Sequence, residues 1–284
     1  MSEPLHVANG HCTTRLIEQA HLPGRTSIWA DPLHEGPIAD VGDAELVRMR
    51  AADFARGLGE PVEDVEADLN SWRAAVDADH SYDELVLWFE HDLFDQLNLI
   101  QLLTRVGRDR PIRKPVTLVS IDSYPGHPNF KGLGELRPDD IATLFTRRRP
   151  VTPEQFAVAA RAWDAFRTQD RSRIEAFLLE DTSALPYLAR ALRRYLDEAP
   201  AEPDGLTRSE RRLLDQLAAG PVDIHTAWRR MHEGETAFYI TDTSFWSLLK
   251  RLTERTPSLI EIALSPIAAP GLPQGTLSLR HERS

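Results

Sequence analysis

Five polar side chains separate two apolar runs near the middle of the chain, namely Glu90, His91, Asp92, Asp95 and Gln96. Glu90 and His91 follow the apolar residues Trp88 and Phe89 directly, so we expect both to be partly removed from water. Burial raises the pKa of a carboxyl group and lowers that of an imidazole, which suits such groups to proton transfer near neutral pH. We therefore predict that Glu90, His91 and Asp92 are catalytic residues of an acid–base site.

The spacing of Asp92, Asp95 and Gln96 places them on one face of a helix that begins near Asp92. We predict that Asp95 and Gln96 bind the substrate from this face. Asp92 has a second interpretation, because an aspartate at a helix start commonly caps the first backbone N–H groups. A histidine among carboxylates also admits a divalent metal, but no established ligand spacing is present, so a metal is not favoured.

The segment from Asn9 to Thr14 lies between a short apolar run and a helical pattern. The N-terminus of a helix attracts anions through its free N–H groups and its dipole. We predict that Asn9 and Thr13 receive a phosphate or carboxylate of the substrate there. The alternative is a tight turn in which Thr13 or Thr14 caps the helix.

Two prolines stiffen the loop that runs from Asp31 to Pro37, since each proline fixes its own φ and restricts the residue before it. This loop presents Asp31, His34 and Glu35. We predict that Glu35 is a catalytic residue and that Asp31 and His34 bind the substrate. The alternative is a surface turn with ordinary solvated charges.

A long loop with three glycines and two prolines follows Asp122. Loops of this kind at strand ends often bind ligands. We predict that Asp122 and Lys131 contact the substrate, because Lys131 is a rare compact ammonium group in an arginine-rich chain. Arg147 is a further candidate for anion binding. The alternatives are an ordinary surface lysine and a solvated basic cluster at a helix end.

Each polar cluster follows an apolar segment that we predict to be a β-strand. The predicted strands are Leu5–Ala8, Thr26–Ala30, Leu85–Phe89 and Val116–Ile121. Helical patterns lie between them, and the alternation of strands and helices predicts an α/β fold with a Rossmann-like parallel sheet and crossover helices. Such sheets bind ligands outside the carboxyl ends of their strands, so we expect the clusters to share one cleft.

The second half of the chain is predicted to be helical, and two capping boxes mark helix starts at Thr152 and Thr207. We predict an α/β ligand-binding domain over residues 1–150, a helical region over residues 151–204 and a C-terminal domain over residues 205–284. Three short helices followed by a hairpin give this last domain the order of a winged helix.

Composition restricts the class of protein. The formal charge of −11 opposes general binding to nucleic acid or to anionic membranes. The single cysteine, Cys12, excludes an intramolecular disulfide and fits a reducing cytosol. No apolar run approaches the length of about 18 residues that a membrane span needs, and the first residues lack a signal-peptide pattern. We therefore expect a cytoplasmic protein with no membrane partner.

Several motifs taken together form a family pattern. They are HVANG (6–10), WADPLHEGP (29–37), LWFEHDLFDQ (87–96), FKGLGEL (130–136) and the arginine pair 193–194. This pattern resembles a bacterial family catalogued as domain of unknown function 1835. The stretches GLTRSE (205–210) and TDTSFW (241–246) resemble its usual C-terminal companion, domain of unknown function 3658. His11 departs from the pattern, where we expect an acidic residue, and the family implies no established activity.

Two functions fit these residues. The first is an enzyme of the hydrolase or transferase class that acts on a phosphate- or carboxylate-bearing small molecule, with nucleotides among the candidates. The second is a ligand-sensing regulator whose winged-helix module binds DNA or protein. From Thr207 onward the chain has ten basic and nine acidic residues, which is weak charge for a DNA reader. A protein partner or a homo-oligomer stays open, as does the cofactor.

Overall fold

The structure is a computed structural model, and it describes residues 3–108, 114–265 and 272–280. Its internal contacts divide the chain into two compact units, residues 1–192 and residues 193–284. Among the residues described, every helix is too short or too polar to span a bilayer.

The first unit alternates strands and helices and then becomes helical. Its strands are β1 (Leu5–Ala8), β2 (Arg25–Ile28), β3 (Leu85–Trp88), β4 (Val116–Val119) and β5 (Arg149–Pro150). Its helices are α1 (His11–Gln19), α2 (Asp43–Leu58), α3 (Val62–Asp77), α4 (Leu93–Arg108), α5 (Pro138–Thr146), α6 (Pro153–Phe166) and α7 (Arg171–Phe177). Helix α8 (Leu188–Asp197) begins in this unit and continues into the second. The four predicted strands are confirmed, whereas α5 and β5 were not predicted from the sequence.

The five strands form one sheet in the order β2-β1-β3-β4-β5. The first four are parallel, and β5 is antiparallel to β4. Ala8 pairs with both Ile28 and Trp88, and Trp88 pairs with Val119, so the four parallel strands end at one level. Strand β2, which follows β1 in the chain, pairs with one edge of β1, and β3 pairs with the other edge. The carboxyl ends of β1 and β3 therefore flank the point where strand order reverses, which is where open α/β sheets bind ligands.

Helices cover both faces of the central strands, which explains their uninterrupted apolar sequences. On one face Ile17 of α1 and Ile141 of α5 pack in a cluster with Val86 and Trp88 of β3. Leu87 points to the opposite face and is equally buried. Helix α4 packs along α6, and α2 packs along α3. The sheet is thus an α/β layer flanked by helices, consistent with the predicted fold class.

The second unit combines three helices with a small sheet. The helices are α9 (Arg208–Ala218), α10 (Ile224–Met231) and α11 (Asp242–Glu254), and the strands are β6 (Val222–Asp223), β7 (Ile260–Leu264) and β8 (Gly275–Leu279). The strands are antiparallel in the order β6-β8-β7, so the predicted hairpin of the last two is confirmed. Most of its Pro/Gly-rich loop lies outside the described residues. The capping boxes at Thr152 and Thr207 are also confirmed.

Candidate active site at the carboxyl ends of the strands

The loops after β1 and β3 meet at the point where strand order reverses. The amide Nδ2 of Asn9, directly after β1, donates to Oδ2 of Asp95 at 2.9 Å. The hydroxyl of Thr13 donates to Oδ1 of Asn9 at 3.0 Å, which fixes the orientation of that amide. Helix α1 begins at His11 with no side-chain cap, so the capping role considered for Thr13 and Thr14 is wrong. Asn9 and Thr13 instead support a carboxylate of α4.

Glu90, Asp92 and Asp95 form a buried group that we call the carboxyl cluster. One carboxylate oxygen from each residue lies within 4.8 Å of the other two. Their exposed fractions are 4%, 8% and 1%. Carboxylate oxygens at this separation could hold a hard divalent cation such as Mg²⁺ or Ca²⁺. The arrangement equally allows the three groups to share protons.

Backbone hydrogen bonds hold the carboxyl cluster in place. The N–H of Asp95 donates to Oδ1 of Asp92 at 2.9 Å, so Asp92 caps α4 as its alternative interpretation expected. The N–H of Glu90 donates to Oδ1 of Asp95 at 2.7 Å. The side-chain amide of Gln96 donates to the carbonyl of Glu90 at 2.6 Å. Asp92 therefore caps α4 and belongs to the carboxyl cluster at the same time, because the capping hydrogen bond orients its carboxylate toward Asp95.

The loop before α5 closes over the carboxyl of Glu90. The backbone N–H of Leu133 donates to Oε1 of Glu90. A Cβ atom at Gly132 would lie 2.2 Å from Oε2 of Glu90. Only glycine allows the backbone to approach the carboxyl this closely. Lys131 precedes this contact, with an exposed side chain and a backbone N–H that donates to Glu135 at 3.0 Å.

Burial raises the pKa of all three carboxyl groups, and the charge of a neighbouring carboxylate raises those of Glu90 and Asp95 further. The pKa of Glu90 rises to about 8 through burial first and the charge of Asp92 second. Burial raises the pKa of Asp92 to about 6, and burial followed by Glu90 raises that of Asp95 well above its usual value. Glu90 and Asp95 each accept hydrogen bonds that favour the ionised form, and burial outweighs them in both residues. At neutral pH the carboxyl cluster retains a proton.

His91 lies between two cluster residues in sequence and faces the end of β4. Its Nδ1 lies 3.3 Å from the carbonyl oxygen of Ile121, and its ring contacts those of Phe130 and Tyr187. Burial first, then the positive charge of Arg190, lowers the pKa of His91. A neutral imidazole and a protonated carboxyl that follow the same strand provide a suitable base and acid.

Arg190 on α8 is a candidate that sequence reasoning missed. Its Nε and Nη2 atoms are buried and have no hydrogen-bond partner within the described part of the chain. Its guanidinium carbon lies 5.9 Å from the ring centroid of Tyr187, and its charge acts on His91. A guanidinium with buried unpaired donors is matched to a carboxylate or phosphate oxygen. Nothing in the sequence separates Arg190 from the other arginines, because its position depends on how α8 packs.

A cavity of about 160 Å³ lies at the end of β4. Its walls include Gln96, which donates to the backbone carbonyl of Glu90, and Tyr187, whose ring contacts that of His91. Ser120 and Gln155 contribute polar atoms to the same lining. The cavity therefore offers room for part of a small molecule, and two of its wall residues contact the segment that carries Glu90 and His91.

Asp31 has a structural partner that the sequence analysis did not foresee. Nη2 of Arg50 lies 2.6 Å from Oδ1 of Asp31, and both side chains are almost fully buried. Arg50 also donates to the carbonyls of Pro32 and Glu35, and Asn98 donates to the carbonyl of Asp31 at 2.9 Å. This ion pair holds the loop in shape, and the expected substrate contact of Asp31 stays a prediction.

The same loop brings His34 to the carboxyl cluster. The charge of His34 acts on Asp92, and its ring makes an edge contact with Phe94 at 6.2 Å between centroids. Oε1 of Glu35 lies 3.6 Å from Nε2 of His34. The loop after β2 thus joins those after β1 and β3 at one edge of the sheet.

The remaining predicted residues lie farther out. Asp122 is exposed, and its charge acts on both His91 and Tyr187, so it belongs to the rim of the site. Arg147 is exposed at the end of α5, where its charge acts on Tyr124. Among the described residues, the structure gives Arg147 no contact with the carboxyl cluster.

Comparisons with known proteins add no identity to this geometry. No protein-family model matches the chain, and no curated protein sequence matches it. The resemblance to the two domains of unknown function therefore stays a prediction.

Proposed function

We propose that the first unit is an enzyme of the hydrolase or transferase class that acts on a small molecule bearing a phosphate or carboxylate. Its site is the crevice outside the carboxyl ends of β1, β3 and β4. The observation that carries this proposal is the burial of three carboxyl groups within 4.8 Å of one another, at the strand end that also carries His91. Burying carboxyl groups together costs stability, and strongly perturbed pKa values cluster at catalytic sites.

The chemistry assigns opposite roles to neighbouring groups. Glu90, with its pKa raised to about 8 by burial, is protonated at neutral pH and donates a proton to the leaving group. His91, with its pKa lowered by burial, is neutral and accepts a proton from the attacking nucleophile. The negative charge of Asp92 helps to keep Glu90 in its protonated form, and Asn9 orients Asp95.

Arg190 is the proposed receptor for the anionic part of the substrate. Its two buried nitrogen atoms lack partners in the described chain, and a bound carboxylate or phosphate would satisfy both. The effect of its charge on His91 and its proximity to the ring of Tyr187 support binding of that anion near the proposed base. Lys131, on the loop that covers Glu90, contributes a second positive charge at the surface.

The test is a thermal-shift screen of sugar phosphates, nucleotides and small carboxylates, each with a chelator and with added Mg²⁺ or Mn²⁺. A compound that binds the folded protein alone raises the Tm. We expect a hit that is lost in Arg190→Gln and retained in Arg193→Gln, an exposed arginine of the same helix. Glu90→Gln should still bind the hit but not convert it, as followed by phosphorus or proton NMR. The proposal would be contradicted by compounds that bind Arg190→Gln as well as the wild type, or by the absence of any binding compound both with chelator and with added metal.

A divalent metal at the carboxyl cluster is the second candidate for the chemistry of this site. The separation of the three oxygens supports it. If Mg²⁺ or Mn²⁺ alone raises the Tm of the wild type and not of Asp95→Asn, the cluster holds a metal instead of a proton.

We infer that the second unit is a winged-helix module with a structural or protein-binding role. The order of three helices and a hairpin supports this, as does the pairing of β6 with β8. Several of its arginines are paired with carboxylates, for example Arg211 with Asp204 at 2.6 Å and Arg251 with Glu210 at 3.3 Å. These charges are less available to DNA phosphates. Retardation of random DNA by the full chain at moderate salt would favour the regulator instead. We propose a cytoplasmic location on the evidence of the single cysteine.

A further inference from the structure

A second and larger cavity lies in the first unit, along the side of α4 away from its N-terminus. Its volume is about 440 Å³, within the range of about 300–1,000 Å³ that is typical of small-molecule pockets. Gln101 and Thr104 of α4 line it together with the rings of Trp29 and Trp163. Gln101 is six residues beyond Asp95, a separation of about 9 Å along the helix. The cavity is therefore distinct from the carboxyl cluster but shares a helix with it.

Two buried polar atoms in this cavity have no partner. Gln101 and Thr104 are 5% and 4% exposed. The Nε2 of Gln101 and the hydroxyl of Thr104 make no hydrogen bond to any described residue. A buried polar group without a partner is destabilising, so such groups in folded proteins normally meet a ligand or water. Both atoms belong to residues that line the cavity.

A hydrogen bond from Trp29 determines which side-chain atom of Gln101 is available to a ligand. The indole Nε1 of Trp29 donates to Oε1 of Gln101 at 2.8 Å. Because the amide oxygen is already occupied, the amide nitrogen is the atom left to interact, and it can only donate. The occupant must therefore carry an acceptor such as a carbonyl oxygen or a ring nitrogen. The hydroxyl of Thr104 accepts or donates and sets no further restriction.

The charges around the cavity cancel. Nη1 of Arg105 lies 2.7 Å from Oδ2 of Asp43, and Arg167 is paired with Asp40. All four charged side chains belong to the lining. An ion entering the cavity would have to displace one of these pairs, so an uncharged molecule is favoured.

We propose that this cavity binds an uncharged, planar small molecule with a carbonyl or ring-nitrogen acceptor, of the class that includes carboxamides and nucleobases. The acceptor takes a hydrogen bond from Nε2 of Gln101, and the planar part lies against the apolar surface of the two tryptophans. The site is separate from the proposed active site, and either proposal can fail without the other.

The experiment is a ligand-detected NMR titration of the full chain with nicotinamide, uracil and adenine as neutral probes and nicotinate as the charged counterpart of the first. We expect at least one neutral probe to bind with a Kd of about 1 mM or tighter. Thr104→Val and Gln101→Glu should each weaken that probe by roughly tenfold, because the first removes a buried hydrogen-bonding hydroxyl and the second removes the amide donor. Thr104→Ser, which keeps the hydroxyl, should retain binding, as should Thr143→Val, the same change at an exposed helical threonine. Nicotinate should bind more weakly than nicotinamide.

A second measurement separates a ligand site from a purely structural pocket. If the hydroxyl of Thr104 is unpaired, Thr104→Val should keep or raise the Tm of the ligand-free protein. A clear fall in Tm would show that the hydroxyl is already satisfied and would overturn the proposal. The proposal also fails if none of the three neutral probes binds the wild type, or if a bound probe is indifferent to both Thr104→Val and Gln101→Glu.

Discussion

Oε2 of Glu90 lies so close to the backbone of Gly132 that a Cβ atom at position 132 would be only 2.2 Å away. The same carboxyl accepts a hydrogen bond from the N–H of Leu133 through its other oxygen. The buried acid and the loop that covers it are therefore mutually dependent. The loop covers this carboxyl, and the position of the loop depends on the hydrogen bond to it.

Gly132→Ala should lower the free energy of unfolding by about 1–3 kcal/mol, because the new methyl group overlaps the carboxyl of Glu90. Urea denaturation measures the effect. Gly134→Ala is the matched control, since a Cβ there meets only the Cβ of Cys12 at 3.4 Å, an ordinary contact. In a Glu90→Ala background the cost of Gly132→Ala should largely disappear. Equal costs at both glycines would contradict the close contact.

Stability should fall as the pH rises from about 6.5 to 8. The pKa of Glu90 is raised from 4.5 to about 8, so in this window the folded protein holds a proton that the unfolded chain has lost. The stabilisation that comes from this proton is fully present below the pKa of Glu90 in the unfolded chain. It is lost as the pH rises toward the pKa of Glu90 in the folded protein, with a slope of up to about 1.4 kcal/mol per pH unit. His91, with its lowered pKa, is neutral in both states over most of this range.

Urea denaturation at several pH values measures this slope, and Glu90→Gln should flatten it. Glu84→Gln is the control, because Arg148 lowers the pKa of Glu84 and that group stays ionised in both states throughout the window. Glu84→Gln should reduce stability at every pH without changing the slope. If Glu90→Gln leaves the dependence of stability on pH unchanged, the proton that the folded protein retains belongs to a group other than Glu90.

The sequence could predict the sheet and the place of the site because both follow from local pattern. Four apolar runs ended in polar residues, and parallel strands collect such ends at one edge. Glu90, His91, Asp92 and Asp95 lie within eleven residues of the start of one strand, so one segment carries most of the cluster. The antiparallel edge strand β5 has only two residues and gives no periodic signal.

Partners distant in sequence could not be predicted. Arg50 lies on the amphipathic helix α2, where an arginine reads as solvent-exposed, yet its side chain is fully buried against Asp31. Arg190 is equally inconspicuous among thirty arginines. Both depend on how helices pack on the sheet, which local periodicity does not specify. The support that Asp31 gives to its loop was not predicted for this reason.

Breaking the Asp31–Arg50 pair should be far more costly than breaking a surface pair. Arg50→Met or Asp31→Asn should lower the free energy of unfolding by about 3–5 kcal/mol, because each leaves a buried charge without its partner. Arg56→Met, which removes an exposed pair with Asp53, should cost no more than about 1 kcal/mol. Chemical denaturation of the three variants compares them directly. Similar small losses in all three would show that Arg50 is solvated.

Arg190→Met should raise the pKa of His91, since the charge of Arg190 is the second largest cause, after burial, of its depression. Asp122→Asn should lower the same pKa, because the negative charge of Asp122 opposes that depression. Arg193→Met provides the control on the same helix. An NMR titration of the imidazole protons of His91 measures all three. An unchanged midpoint in Arg190→Met would separate Arg190 from the proposed base.

Carbon-13 NMR titration of the side-chain carboxyl of Glu90 in the wild-type protein measures the proton on which the proposed chemistry depends. We expect the carboxyl resonance of Glu90 to titrate with a midpoint near pH 8, as the burial of the cluster requires. We also expect Asp92→Asn to lower this midpoint, since the charge of Asp92 is the second largest cause, after burial, of the raised pKa. A midpoint near 4.5, unchanged by Asp92→Asn, would show that Glu90 is an ordinary ionised carboxylate and would contradict its role as the proton donor.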